Sequence, residues 1–134
     1  MTVYVLDSSA LFAYVQERRG AQKVAQLFKT ALSDETEILM SAVNYGEVYG
    51  SVLREGGRER AIATLSMIRP LPIRLLDATP DRALRAAEVK TKYKLYYADS
   101  FAAALAMEFK AKLVTSDTDF RRLGHNLPIV WLKP

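Results

Sequence analysis

Four carboxylates, Asp7, Glu47, Asp99 and Asp117, stand where an acid can be put to chemical use. Asp7 directly follows the apolar run Val3–Leu6, and Asp117 comes just after Leu113–Thr115. Both runs read as buried strands, and in parallel α/β folds ligands gather beyond the carboxyl ends of strands. Asp99 opens a segment, Phe101 to Met107, that is apolar almost all round and reads as a buried helix. A carboxylate entering such a helix needs a partner or a cation. Glu47 lies mid-helix with Gly46 and Gly50 close by. Glycine inside a helix costs about 1 kcal/mol relative to alanine, so two of them imply that something approaches this face closely.

Each acid also has an ordinary explanation. Asp7 could cap a helix, although Ser8 or Ser9 could serve equally well. Asp117 could be a turn aspartate, and Glu47 a solvated helix glutamate. Asp99 could answer the helix dipole, an account that suffices for Asp81. Together the four acquire a different meaning. Four neighbouring carboxylates cannot all ionise without a cation. Their oxygens suit a hard ion such as Mg²⁺ or Mn²⁺, which can activate water for in-line attack on a phosphodiester. The single histidine, His125, lies in a Gly-His-Asn turn and reads as surface. Other chemistries lack their residues: there is no phosphate-binding Gly-rich loop ending in Lys-Ser/Thr, no G-x-S-x-G, and no zinc-ligand spacing.

The elements that must position these acids alternate between strand and helix. Strands are expected at Val3–Leu6, Ile38–Met40, Ile73–Leu76, Leu113–Thr115 and Pro128–Leu132. A first helix, capped by Ser8 or Ser9, runs to Val15, and a second spans Ala21–Leu32. After a polar turn at Asp34–Thr36, a third helix covers Ala42–Arg54 and stops at Gly56-Gly57, and a fourth covers Glu59–Ile68. A fifth starts at Thr79-Pro80-Asp81, where a hydroxyl cap precedes proline, and reaches Tyr93. The apolar helix Tyr97–Lys110 follows, and Asp117–Leu123 is a short turn or helix. Short apolar strands alternating with helices predict an α/β fold of three layers, α/β/α, around a central, mostly parallel sheet. No repeat or linker divides the chain, so residues 1–134 read as one domain.

Half of the residues are hydrophobic and a quarter are charged, an ordinary globular composition. There is no cysteine, which excludes disulfides and thiolate chemistry. No signal-peptide pattern is visible, and the most apolar stretch, Tyr96–Met107, is shorter than the roughly 20 residues a membrane span needs. The expectation is a cytoplasmic protein without a membrane partner. Lys and Arg number 19 against 15 acids, a formal charge of +4; setting the four acids aside leaves 11 acids against the same 19. An acidic pocket within basic surface suits a polyanion. Arg18, Arg19, Lys23, Lys92, Lys94, Arg121 and Arg122 are candidate phosphate contacts.

Four segments, VLDSSALFAYV, SAVNYGEV, YYADSFAAALA and LVTSDTDF, together resemble the PIN-domain family. Within it the chain is most similar to VapC-type toxins of toxin–antitoxin pairs. The segments come in the family's order and span nearly the whole chain. The resemblance implies a Mg²⁺- or Mn²⁺-dependent endoribonuclease, a homodimer, and a small antitoxin that occludes the acidic pocket. It makes Asp7 and Asp99 the principal metal ligands, with Glu47 completing the metal environment or positioning the water. It makes Asp117 the fourth acid and leaves Asp119 as an alternate. Ser8 and Thr115 match hydroxyls that hold the acids or contact phosphate, and Phe120 matches a core position. No acid of the set is replaced by a neutral residue, so an active enzyme is expected.

Other readings make different demands. A solitary PIN nuclease in RNA processing, or one acting on DNA, would have no antitoxin. A receiver-like Mg²⁺-binding signalling domain wants an acidic pair near the first strand, yet Ser8-Ser9 follow Asp7. A haloacid-dehalogenase-like phosphatase needs an aspartate where Ser9 stands. An interaction module could use the apolar Tyr96–Met107 helix as its interface, and that helix could equally serve dimerisation.

Overall fold

A computed structural model describes residues 1–33 and 35–132. The expected turn at Asp34–Thr36 begins on a residue outside that set. Five strands, β1 (Thr2–Leu6), β2 (Thr36–Ser41), β3 (Arg74–Leu76), β4 (Lys112–Thr115) and β5 (Ile129–Trp131), form one sheet in the order β3-β2-β1-β4-β5. Every neighbouring pair is parallel. The chain builds outward from β1 on one side, then returns to add β4 and β5 on the other. The strand order therefore reverses between β1 and β4, and their carboxyl ends flank the crevice that such a reversal opens.

The strands are apolar on both faces because both faces are covered. Val5 is in register with Leu39 on one side and Leu113 on the other, and these three point into one core. That core is covered by α4 (Pro80–Tyr93) and α5 (Tyr97–Glu108). Leu6, Ile38 and Val114 point the opposite way, toward α1 (Ser8–Val15) and α2 (Ala21–Ala31). Met40 joins that face beside Leu11 of α1 and Val48 and Ile68 of α3 (Ala42–Ile68). The three-layer α/β/α arrangement matches expectation.

Several local readings change. The third and fourth helices run together as α3, which does not stop at Gly56-Gly57 but passes through it with a kink at Gly57 (φ 84°, ψ 178°). Glycine alone adopts that backbone without strain. Within this chain Gly46 and Gly50 meet no close neighbour, because a β-carbon at either would touch nothing within 4 Å. The apolar α5 is no interface: Ser100 through Ala106 are all buried within this one chain, between the sheet and α4. Only its leading tyrosines, Tyr96 and Tyr97, are exposed. Gly20 does meet a neighbour, since a β-carbon there would sit 2.8 Å from that of Leu132, so the start of α2 packs tightly on the end of β5. No helix among the described residues is long and apolar enough to cross a membrane.

Candidate metal centre

Asp7 leaves β1 as its strand ends and becomes the N-cap of α1, its Oδ1 accepting from Ala10 N at 2.9 Å. The cap that sequence assigned to Ser8 or Ser9 thus belongs to Asp7, and those serines do other work. Ser9 Oγ donates to Asp7 Oδ1 at 2.7 Å and accepts from Ser116 N at 3.0 Å. Thr115 Oγ1, at the end of β4, donates to Asp7 Oδ2. The carboxylate is 3% exposed, so each of its oxygens is oriented by protein donors. Burial pushes its pKa up to about 6; the Thr115, Ser9 and Ala10 hydrogen bonds pull the other way, and the Asp117 charge adds to the rise.

Asp117 follows β4 by two residues. Its backbone N donates to Thr115 Oγ1 at 2.9 Å, and its Oδ1 accepts from Asp119 N at 2.9 Å. That contact opens a 3₁₀ stretch, Thr118–Asn126, and tucks Asp119 back beside Asp117. Asp99 arrives from across the crevice, in the first turn of α5. Carboxylate oxygens of Asp99, Asp117 and Asp119 all lie within 4.8 Å of one another. Sequence offered Asp117 and Asp119 as alternatives; the fold brings both to Asp99.

Glu47 reaches the same crevice from α3. Its Oε1 accepts from Ser8 Oγ and, at 3.3 Å, from Asn44 Nδ2. Its side chain stays exposed, and with Asp7 it stands outside the tight group of three. The charges of both still act on Asp99. That carboxyl is driven up to about 7, first by burial and then by the charges of Asp117, Asp7, Glu47 and Asp119. All five acids therefore share one electrostatic site with Asp99 at its centre. The donor set is entirely carboxylate oxygen, its negative charge exceeds what neutral pH leaves fully ionised, and three oxygens already converge. Those properties fit a hard divalent cation.

The pattern of the PIN domain family matches residues 4–126. This chain belongs to that family. Solved structures of similar fold agree. A VapBC2 complex from Rickettsia felis bound to a promoter DNA fragment superimposes with a TM-score of 0.75 at 18% identity, covering 96% of this chain and 98% of that one. A DNA-bound VapBC complex from Salmonella typhimurium gives 0.76 at 14% identity, covering 98% and 99%. VapC20 of Mycobacterium tuberculosis, described as a toxin that cleaves the sarcin-ricin loop, gives 0.71 at 18% identity, covering 90% and 95%. No curated protein matches at a significant level.

Two residues of this PIN domain carry structural duties at the crevice that sequence reasoning missed. Ser9 was read only as a cap, yet its hydroxyl joins the ends of β1 and β4. Asn44 was not singled out at all. It is fully buried, and its Nδ2 donates to Ala98 O at 3.0 Å as well as to Glu47. It therefore ties α3 to the start of α5, directly before Asp99. The available signal was position: Asn44 precedes Glu47 by one helical turn, where the two side chains can meet. His125 is exposed, as its turn context implied, and Phe120 is fully buried.

Proposed function

We propose that this PIN domain is a Mg²⁺- or Mn²⁺-dependent endoribonuclease, working in the cytoplasm as the toxin of a toxin–antitoxin pair. The observation that carries the reading is the convergence of Asp99, Asp117 and Asp119, whose carboxylate oxygens lie within 4.8 Å of one another at the crevice between β1 and β4. Proteins do not assemble five acids at a strand-order reversal for stability, since their mutual repulsion opposes folding. Asp7, Glu47, Asp99 and Asp117 are the acids assigned to the metal, with Asp119 alongside Asp117. Bound there, the cation supplies Lewis acidity toward the phosphodiester and lowers the pKa of a water. Thr115 and Ser9 fix Asp7, while Ser8 and Asn44 orient Glu47, so the acids are positioned before substrate arrives.

The toxin assignment draws on the fold neighbours, several of which are VapBC complexes. A small antitoxin is the corresponding partner here, and a homodimer the corresponding assembly. The exposed apolar side chains Leu53, Ile62 and Met67 of α3 offer such partners surface to cover.

The deciding experiment is Asp99→Asn assayed with Mn²⁺ on a mixed RNA substrate. Loss of cleavage with an unchanged circular dichroism spectrum is expected. Full activity in that variant would overturn the assignment. A short antitoxin-like reading frame directly upstream of this gene is expected, and co-expression with it should give a stable, inactive complex.

A further inference from the structure

We propose that a cavity beside Asp119 is a nucleotide subsite, in which Tyr96 stacks an unpaired base of single-stranded RNA and Lys90 and Lys94 hold an adjoining phosphate. The inference rests on the ribonuclease reading and adds to it where the substrate lies. The cavity measures about 590 Å³ and is lined by Lys90, Lys94, Leu95, Tyr96, Asp119 and Arg122. Asp119 also belongs to the acid group around Asp99, so the cavity adjoins the candidate metal centre through that residue.

The two tyrosines at the start of α5 separate structural from unassigned roles. Tyr97 packs edge-on against Phe101, ring centroids 5.0 Å apart, and its hydroxyl donates to Ala83 O at 3.3 Å. Tyr96 is 76% exposed and borders the cavity. An aromatic face beside cations is what a single-stranded nucleic acid uses, because every base has a π-face and every linkage a charge. Lys90 and Lys94 have their charges available. Among the described residues the ion pairs are Arg74–Glu37, Arg82–Glu108 and Arg122–Asp119, and neither lysine enters one.

The corner is also held in place. Lys94 ends α4 in the left-handed region (φ 57°, ψ 43°), where glycine or asparagine is the usual occupant. A lysine there carries a steric cost and keeps a cation at the cavity mouth. Its carbonyl accepts from Arg122 Nη1 at 2.8 Å, while Arg122 Nη2 lies 3.7 Å from Asp119 Oδ1. Arg122 thereby braces the tyrosine corner against the acid-bearing 3₁₀ stretch. Leu95 is buried beneath the corner.

The test measures binding in EDTA, where no metal-dependent cleavage interferes, using a short single-stranded oligoribonucleotide that contains 2-aminopurine. Binding is read by anisotropy and stacking by fluorescence quenching. Tyr96→Ala should weaken binding about tenfold and abolish the quench, whereas Tyr96→Trp should retain both. The double variant Lys90→Gln/Lys94→Gln should flatten the dependence of log K on log salt by about 0.7, the value for one phosphate contact on a single strand. The proposal is overturned by a wild-type protein that does not bind the probe, by Tyr96→Ala binding like wild type, by Tyr96→Trp failing like alanine, or by an unchanged salt slope. Failure of the ribonuclease reading looks different: the binding series behaves as expected, but wild type with Mn²⁺ cleaves no RNA.

Discussion

Thr115 Oγ1 donates to Asp7 Oδ2 at the adjacent ends of β4 and β1, while the same hydroxyl accepts from Asp117 N at 2.9 Å. One side chain thus satisfies a buried carboxylate and sets the backbone that carries the next acid. Thr115→Val keeps the shape and removes both contacts. A buried charged group that loses its donor costs about 1–3 kcal/mol or more. Urea unfolding should show such a loss at pH 8, where Asp7 is ionised, and a smaller one at pH 5, below its value of about 6. Equal losses at the two pH values would mean that the hydroxyl serves packing alone.

Metal-free stability should fall as pH rises. Asp7 and Asp99 hold their protons to about 6 and about 7 in the folded chain, against 3.8 for the ordinary carboxyl. Raised folded values mean that the native state binds more protons than the unfolded state across that window. The stabilisation is full below about pH 4, declines between pH 4 and 7, and is gone above pH 7. Asp99→Asn removes the largest part of this slope and should raise the melting temperature in EDTA at pH 8, while abolishing cleavage. Millimolar Mn²⁺ should raise the melting temperature of wild type, since a ligand of the folded state stabilises it, and should raise that of Asp99→Asn much less. A flat pH profile in EDTA would show that the acids do not repel as their placement requires.

Asn44 should matter more to turnover than its distance in sequence from Asp99 suggests. Its amide holds Glu47 and the Ala98 carbonyl together, so it fixes α3 relative to the first turn of α5. Asn44→Ala frees both. Displacing a catalytic group by about 1 Å can cost up to a hundredfold in rate, so a fall in kcat of about tenfold or more is expected. Stability, measured by urea unfolding, should fall by about 1–3 kcal/mol as the Ala98 carbonyl loses its donor. Asn44→Asp should be worse in activity, because it sets a second carboxylate against Glu47. Unchanged kcat in Asn44→Ala would remove the residue from any positioning role.

The strands were legible because a parallel sheet covered on both faces leaves continuous apolar runs, and Val3–Leu6 and Leu113–Thr115 are such runs. The acids at their ends were legible for the same reason, since a run that stops at an aspartate marks where the sheet opens. The cap of α1 stayed open among Asp7, Ser8 and Ser9 because the three are equally good caps in isolation; only the strand's exit direction chooses Asp7. Asp117 ranked above Asp119 for its place nearest the strand end, although the Asx contact that sets one beside the other is local; that both meet Asp99 is the tertiary outcome. Asn44 escaped because its partner, the Ala98 carbonyl, is a backbone atom 54 residues away. Gly46 and Gly50 misled in the other direction: small residues suggest a close neighbour, and no element of this chain supplies one.

Those two glycines yield the simplest test of the helix. Both lie inside α3 without a positive φ, and an added β-carbon at either has open space around it. Alanine restricts the unfolded chain and favours helix, so Gly46→Ala and Gly50→Ala should each gain about 0.5–1 kcal/mol. Gly57→Ala is the contrasting case. It also has open space, but its φ of 84° places the cost in the backbone itself, so the same substitution should destabilise. Urea midpoints for the three variants give the comparison directly. Destabilisation by alanine at position 46 or 50 would mean that the helix face is covered after all, by a second copy of the chain if not by its own elements.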